Sequence, residues 1–286
     1  MSLLKPLPRV LLITAILFIT SQSLSYADGG FPVRPGRLLI SPSISYFFAN
    51  SEWDSTGVKK AFPNNGKFSS VGVTLYSEYG ISRRFAFIAT LPFVYNNYAQ
   101  SIAPKNTVSS GVTDLETGIR YYLANIKFIY YFSLQATAIT PLYNNNPALG
   151  YGEEGAELKL ALSGRGHMFG NSTYFNVSDG VRQYFGTNGP IQNRYSGTFG
   201  MSLDKKFMNQ LSVSLSGINS YSDDKSFSPI PETDKDFSFL EASLSYGHSF
   251  THEISLFLSG GEFLTGVNTG VGTTFSLAFI YRLDYK

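Results

Sequence analysis

The sequence predicts an all-β protein, a transmembrane antiparallel up-and-down β-barrel of about twelve strands with both termini on the periplasmic side. Apolar and small or polar residues alternate at period two over many short segments. Charged residues make up only 15% of the chain, below the roughly one quarter that is typical of soluble domains. No segment after residue 27 is apolar over the ~18 residues that a spanning helix needs.

The C-terminal segment, residues 272–285, shows the alternation most clearly. One face carries Phe275, Leu277, Phe279 and Tyr281, and the other face is small or polar. Successive side chains of a strand point to opposite faces. In a soluble sheet the large face would be the core, and in an outer-membrane barrel it would face lipid. This strand alone leaves both readings open.

The first 27 residues predict a cleaved signal peptide. Lys5 and Arg9 precede a short apolar run at 10–19, and small residues occupy positions 25 and 27, as signal peptidase requires. We expect cleavage before Asp28, a barrel domain over residues 28–286, and location in the bacterial outer membrane. An uncleaved membrane anchor is the alternative.

Composition excludes several classes of protein. Cleavage removes two of the 22 basic residues and leaves the remainder balanced by 20 acidic residues. Nucleic-acid binding needs a basic excess, so no nucleic-acid partner is predicted. The chain has no cysteine, so neither disulfides nor thiolate chemistry is expected.

Twelve strands are predicted in chain order, each from one apolar face. Residues 28–36, which include two prolines, are expected to form a short extended lead-in and not a plug. The strands cover residues 37–48, 68–79, 84–95, 111–123, 127–140, 154–165, 172–185, 193–203, 210–221, 237–247, 253–260 and 272–285. The outward residues of the first three are Leu38, Ile40, Ile44, Tyr46 and Phe48; Val71, Val73, Leu75 and Tyr79; and Phe85, Phe87, Ala89, Leu91, Phe93 and Tyr95.

Short and long connections alternate along the chain. Short turns begin near residues 80, 123, 164, 204 and 248, and longer loops are predicted at 49–66, 96–110, 141–153, 187–192, 222–236 and 261–270. Outer-membrane barrels have short periplasmic turns and longer external loops. A secreted soluble β-protein is the alternative, but it has no reason to keep its long loops at one end.

The faces opposite the leucines and aromatic residues carry most of the charges. We therefore expect these charges to line the lumen, because a charge facing lipid at mid-membrane costs about 2–4 kcal/mol. They form either a selectivity site or a salt-bridge network that stiffens or occludes the barrel. The candidate lumen residues are Asp114, Glu116, Arg120, Glu157, Lys159, Arg165, Arg194, Glu241 and Arg282.

Two segments resemble the MetA-pathway of phenol degradation family. Residues 79–93 resemble its tyrosine–glycine turn, alternating strand and Leu-Pro-aromatic ending. Residues 111–123 resemble its Gly-x-Gly-Asp strand through Gly111, Asp114, Gly118, Tyr122 and Leu123, whereas Thr113 replaces the second glycine. The resemblance covers about 28 residues. It implies an outer-membrane barrel and a channel for small compounds, aromatic ones included, and it implies no catalytic residues.

We therefore expect passive passage of small solutes, including aromatic or hydrophobic compounds. One alternative is a structural or adhesive barrel with an occluded lumen that acts through its external loops. A barrel lipase is a further alternative, but His167, His248 and His252 fall in or beside the short turns and no serine is marked as a nucleophile. The sequence predicts no enzyme, catalytic residue, cofactor or metal.

The predicted partners follow from the predicted location. They are outer-membrane lipid, lipopolysaccharide, a small-molecule solute and the barrel-assembly machinery, which would read the C-terminal strand. The last outward aromatic residue is Tyr285, and Lys286 follows it. This departs from the terminal Phe or Trp that the machinery favours.

Overall fold

The computed structural model describes residues 31–144, 149–186, 189–223, 226–229 and 232–284. The predicted signal peptide and its cleavage site lie outside these residues, so cleavage stays a prediction. Tyr285 and Lys286 also lie outside the described residues, which leaves the end of the assembly signal without a structural test. Among the described residues, no helix is long and apolar enough to cross a membrane.

The described chain is built from β-strands and one short 3₁₀ turn at Pro63–Asn65. The strands are β1 (Arg37–Trp53), β2 (Lys59–Ala61), β3 (Lys67–Gly80), β4 (Phe85–Ala99), β5 (Asn106–Val112), β6 (Asp114–Ile126), β7 (Tyr130–Pro141), β8 (Gly155–Met168), β9 (Asn171–Tyr184), β10 (Ile191–Ser202), β11 (Asn209–Tyr221), β12 (Ser226–Pro229), β13 (Glu232–Asp234), β14 (Phe237–Ser249), β15 (Ile254–Val267) and β16 (Thr269–Asp284).

Twelve of these strands form one closed antiparallel barrel, as predicted. Each pairs with its neighbours in chain order, and β16 pairs back to β1. The remaining strands are additions at the loop end: β2 pairs with the end of β1, β5 pairs with β4 ahead of β6, and β12 pairs with β13. Closure leaves the barrel without a free sheet edge.

Because β1 pairs with β16, the start of β1 and the end of β16 lie together at the rim of the barrel that carries the short turns. Arg37 is the register partner of Asp284, and the two side chains form a bidentate ion pair in which Arg37 Nη2 lies 2.8 Å from Asp284 Oδ2. At the other end of the seam, Trp53 pairs with Thr269. The observed barrel therefore has both strand termini on the side of the short turns.

Polarity is inverted relative to a soluble protein. Large apolar side chains are exposed on the outer surface, for example Ile44, Leu160 and Phe275, whose exposed fractions are 48%, 57% and 52%. Small polar side chains such as Ser133 and Ser163 are buried on the inner face. An outer surface of this composition suits contact with lipid on all sides.

The predicted loop over residues 261–270 is wrong. Strand β15 continues to Val267 and β16 begins at Thr269, so Asn268 alone connects them, with a φ of 50°. Asparagine tolerates this left-handed conformation better than most residues. The glycines that suggested a loop instead allow close packing within strands, since a Cβ on Gly266 would lie 2.7 Å from the Trp53 ring.

Two other predicted loops are also partly strand. Strand β1 runs on to Trp53 beyond the predicted end at residue 48, and β4 and β5 continue as a hairpin to Ala99 and Asn106. The hairpin turn predicted near Ala124 lies later, at residues 127–129, where Lys127 and Phe128 have positive φ. The turn positions are therefore less well predicted than the strands.

The turn between β10 and β11 is organised by one carboxylate. Asp204 Oδ1 accepts hydrogen bonds from the backbone N–H groups of Met208 (3.1 Å) and Lys206 (2.8 Å), and Oδ2 accepts from that of Asn209 (2.7 Å). These backbone donors, Met208 first, hold the pKa of the Asp204 carboxyl below its usual value. The ionised carboxylate therefore stabilises the folded turn.

We expect Asp204→Asn to lower the urea midpoint of unfolding of the detergent-folded barrel at neutral pH. Because the folded-state pKa is depressed, the advantage of the wild type is present above the ordinary aspartate pKa of about 3.9 and is lost as pH falls below it. The matched control is Lys206→Gln, which alters charge in the same turn without removing the acceptor. Equal midpoints for wild type and Asp204→Asn at pH 7 would contradict this role.

Candidate functional site

The inner wall at the loop end of the barrel has two chemically different halves. One half, the charged arc, lies on β6, β8, β9 and β10 and consists of Glu116, Glu157, Lys159, Arg182 and Arg194. The other half, the aromatic arc, lies on β14, β15, β1, β3 and β4 and consists of Phe239, Phe263, Phe47, Phe68 and Tyr98. The two arcs occupy facing parts of the ring of strands.

The charged arc is organised around Arg182. Its Nη2 lies 2.6 Å from Glu116 Oε1, and its Nε lies 2.8 Å from Glu157 Oε2. Glu157 is also approached by Lys159 Nζ at 3.7 Å and by Arg194 Nη1 at 3.8 Å. One buried carboxylate is therefore shared by three cations. The Lys159 and Arg194 side chains keep 25% and 35% of their surface exposed, so both can meet a solute.

The connection between β7 and β8 covers the charged arc. Asp114 Oδ2 accepts a long hydrogen bond from the Tyr184 hydroxyl at 3.5 Å. Tyr143, in the connection, also hydrogen-bonds Asp114 and accepts the backbone N–H of Gly152 at 2.9 Å. Burial raises the pKa of the Tyr143 hydroxyl, which stays protonated at neutral pH. Tyr143 and Gly152, in the described part of this connection, therefore lie against the inner wall at the loop end.

The aromatic arc is a continuous row of rings. Phe239 and Phe263 stack with centroids 4.5 Å apart, Phe263 lies 5.3 Å from Phe47, and Phe47 lies 5.9 Å from Phe68. Tyr98 extends the row, and its ring packs edge-on against Phe62 at 5.8 Å. Ring pairs at these distances are mutually favourable. The row gives the lumen an apolar, ring-lined side that sequence reasoning did not predict.

A second polar cluster lies nearer the turn end. Arg120 Nη1 lies 3.0 Å from Glu78 Oε2, and Arg120 Nη2 donates to Gln135 Oε1 at 2.8 Å. The Glu78 and Arg120 side chains are 1% and 4% exposed. Buried charges require partners of this kind. Arg120 is therefore a structural member of the wall at this level.

The start of the described chain reaches this cluster from inside the barrel. The Tyr122 hydroxyl lies 2.9 Å from the Phe31 carbonyl oxygen and 3.1 Å from Glu78 Oε1, and it accepts the Val33 N–H at 3.2 Å. Phe31 and Val33 are buried. Residues 28–36 are predicted to form a short extended lead-in and not a plug; Phe31 to Val33 lead toward β1 while packing on the inner wall, and residues 28–30 lie outside the described residues.

The structure separates the candidate lumen residues into groups. Glu116, Glu157, Lys159 and Arg194 come together in the charged arc, with Asp114 beside it. Glu241 lies apart, at the edge of the aromatic arc. The remaining three are Arg120, described above; Arg165, whose Nη2 donates to the Phe128 carbonyl oxygen at 2.6 Å; and Arg282, whose Nη1 donates to Ser255 Oγ at 3.3 Å. Selectivity by any of them stays a prediction.

Sequence reasoning missed Glu78, Arg182 and the aromatic arc. The signal for the first two was strand parity, since both alternate with outward valines and leucines on β3 and β9. Phe239 has the same parity as Glu241, which was predicted to face inward. Phe263 shares the parity of Ser259 and Gly261 on β15, which pair with the inward Ser245 and Ser243, but it falls in the predicted loop over residues 261–270.

The described residues include a serine–histidine hydrogen bond, although the sequence marks no serine as a nucleophile. Ser172 Oγ lies 3.0 Å from His167 Nε2, beside the turn between β8 and β9. His167 Nδ1 is buried and has no partner among the described residues. A hydrolytic triad needs a third group that orients the histidine, and the described residues supply none at that nitrogen.

The closed barrel with apolar outer and polar inner faces is the fold of bacterial outer-membrane barrels. The chain is similar in structure to a COG4313 outer membrane channel from Pseudomonas putida F1, with 14% identity, a TM-score of 0.67, and coverage of 91% of this chain and 100% of that one. It is also similar to the NanC porin, with 8% identity, a TM-score of 0.51, and coverage of 85% and 100%.

No protein-family model and no curated relative matches the sequence. Membership of the MetA-pathway of phenol degradation family therefore stays a prediction. At these identities the two solved structures show a shared fold, and they carry no information about the solute.

We expect Arg120→Ala to destabilise the folded barrel by about 3–5 kcal/mol, because it leaves the buried Glu78 carboxylate without its cation. The measurement is urea unfolding of the refolded protein in lipid vesicles. A double variant, Glu78→Leu with Arg120→Met, removes both charges and should recover most of the loss. A single variant as stable as the wild type would show that the pair is not a structural element.

Proposed function

We propose that the chain is an outer-membrane channel for passive passage of small solutes, with small aromatic or hydrophobic compounds among its cargo. The observation that carries this proposal is the division of the inner wall into an aromatic arc and a charged arc. The aromatic arc offers rings to the flat part of a solute, and the charged arc offers the partly exposed Lys159 and Arg194 to a polar one. The resemblance to the phenol-degradation family and the fold shared with outer-membrane channels support the same reading.

We also propose which partners the barrel contacts in the membrane. Its exposed apolar wall suits contact with outer-membrane lipid, its external loops would meet lipopolysaccharide, and β16 would be the strand read by the assembly machinery. We further propose that it is not an enzyme, since the His167–Ser172 pair lacks an orienting acid among the described residues.

A second candidate function has an observation in its favour. Both ends of the lumen hold inward-folded chain, namely residues 31–33 at the turn end and the connection between β7 and β8 at the loop end. A permanently occluded barrel would be structural or adhesive and would act through its external loops. Conductance separates the two candidates.

The first test is conductance of the purified, refolded protein in a planar bilayer, with and without benzoate. We expect stable unitary steps that benzoate blocks, because Arg194 and Lys159 offer partly exposed cations on the wall that faces the aromatic arc. Arg194→Gln should weaken the block about three- to tenfold, whereas Arg282→Gln at the turn end should not. Absence of steps from demonstrably folded protein would overturn the channel and favour the occluded barrel.

A second variant tests occlusion at the turn end. Phe31→Ser combined with Val33→Ser removes the apolar side chains that hold this segment against the inner wall. If the segment narrows the pore, the double variant should show larger unitary conductance than the wild type under the same salt and voltage. Tyr95→Phe, on the outer surface, serves as a control. Unchanged conductance would place the constriction elsewhere.

A further inference from the structure

One acidic side chain in the lumen is set apart from every cation among the described residues. Glu241, on β14, accepts a hydrogen bond from Thr274 Oγ1 at 2.5 Å, and it forms no ion pair in the described part of the chain. Glu78, Glu116 and Glu157 each pair with an arginine, and Asp114 accepts hydrogen bonds from the Tyr143 and Tyr184 hydroxyls beside the charged arc. Glu241 is also only partly buried, so its charge is open to the lumen.

The surroundings of Glu241 are aromatic. Its register partner across β15 is Phe263, and Phe239 lies two residues away on the same face of β14. Thr274, which donates to the carboxylate, is the register partner of Phe47 on β1. The three rings contact one another in a row, with centroids 4.5 and 5.3 Å apart. The Glu241 carboxylate therefore lies next to a cluster of three phenylalanines on the inner wall.

The space for this carboxylate depends on a glycine. A Cβ on Gly261 would lie 2.6 Å from both Glu241 Oε1 and Thr274 Oγ1. The Glu241 and Thr274 side chains therefore pack directly against the backbone of β15 at Gly261, where no side chain intervenes. By strand order the nearest arginines are two strands away: Arg194 on β10, whose guanidinium is directed to Glu157, and Arg282 on β16, which lies at the turn end and donates to Ser255.

We propose that Glu241, with Phe47, Phe239 and Phe263, forms a binding site for small organic cations that carry an ammonium group and an apolar or aromatic body. The carboxylate offers the ammonium a charge-assisted hydrogen bond. The ring faces attract the same positive charge and cover the hydrocarbon part. A simple hydrated metal ion would gain little from the rings, so the cluster favours an organic ammonium.

This site deepens the proposed function and rests on it for the route by which the solute arrives. It gives the lumen two chemically distinct contacts at one level, with cations on the charged arc and one unpaired carboxylate on the aromatic arc. Solutes of opposite charge would then be held on different parts of the wall.

The experiment compares three probes of nearly the same shape, benzylammonium, benzyl alcohol and benzoate, as blockers of potassium chloride current. We expect benzylammonium to block the wild type at about tenfold lower concentration than benzyl alcohol. Glu241→Gln should reduce the benzylammonium block to the level of benzyl alcohol and should leave the benzoate block in place. The isosteric change keeps the hydrogen bond to Thr274, and heat-modifiable gel migration confirms folding.

A matched control exists on the outer surface of the neighbouring strand β15. Glu262 accepts a hydrogen bond from Thr273 Oγ1 at 2.8 Å, as Glu241 does from Thr274, but it faces away from the lumen. Glu262→Gln should leave every block unchanged. Equal block by benzylammonium and benzyl alcohol, or a benzylammonium block that Glu241→Gln does not weaken, would overturn the proposed cation site.

A second readout distinguishes failure of the site from failure of the channel. Trp53 is the single tryptophan, and its ring covers Gly266, the register partner of Phe239. Its fluorescence in detergent-folded protein should change on titration with benzylammonium in the wild type and in Glu262→Gln, and about tenfold higher concentration should be needed in Glu241→Gln. Such a titration without any conductance would sustain the site and overturn the channel, whereas the absence of a difference between variants would overturn the site.

Discussion

The rest of the structure depends on the closure of β16 onto β1. Backbone N–H and C=O groups surrounded by lipid must find partners within the protein, and a sheet satisfies this only when it has no free edge. The register from Arg37–Asp284 to Trp53–Thr269 provides that closure. Closure also removes any choice about side-chain direction, because each residue of a barrel strand faces either the surroundings or the lumen.

That two-way choice explains what could be predicted from sequence. Once the apolar residues of a strand are assigned to the outside, the alternate residues are assigned to the inside, and the twelve strands and the inward charges follow. Glu78 and Arg182 obey the same rule, since both alternate with outward apolar residues of their strands. The rule fails at irregularities: the bulge opposite Leu240 and Glu241 lies between Phe263 and Thr265 and shifts the parity of β15 beyond Phe263, and no local pattern marks that bulge. It also says nothing about partners, since Arg182 meets Glu116 across 66 residues of sequence.

The inner wall must accommodate buried charges, whereas the outer wall must present apolar side chains. A carboxylate or guanidinium removed from water needs a counter-charge and hydrogen bonds. Arg182 supplies both to Glu116 and Glu157, and Arg120 does so for Glu78. Such pairs stiffen the wall, and by neutralising one another they contribute little attraction for a passing solute. The residues available for recognition include those left incompletely neutralised and partly exposed: Lys159 and Arg194, which share one carboxylate with Arg182, and Glu241, which accepts from the Thr274 hydroxyl.

The groups proposed to bind solutes and the segment that enters the lumen lie at different heights along the barrel axis. Lys159, Arg194, Glu241 and the aromatic arc all lie toward the loop end, on β8, β10, β14 and their neighbours. The segment that enters the lumen, Phe31 to Val33, is bound at the turn end through the Tyr122 hydroxyl, which also contacts Glu78. A solute at the arcs touches none of the groups that hold this segment. Substitutions at the arcs should therefore change which solutes bind, and substitutions at the Tyr122 contact should change how freely any solute leaves.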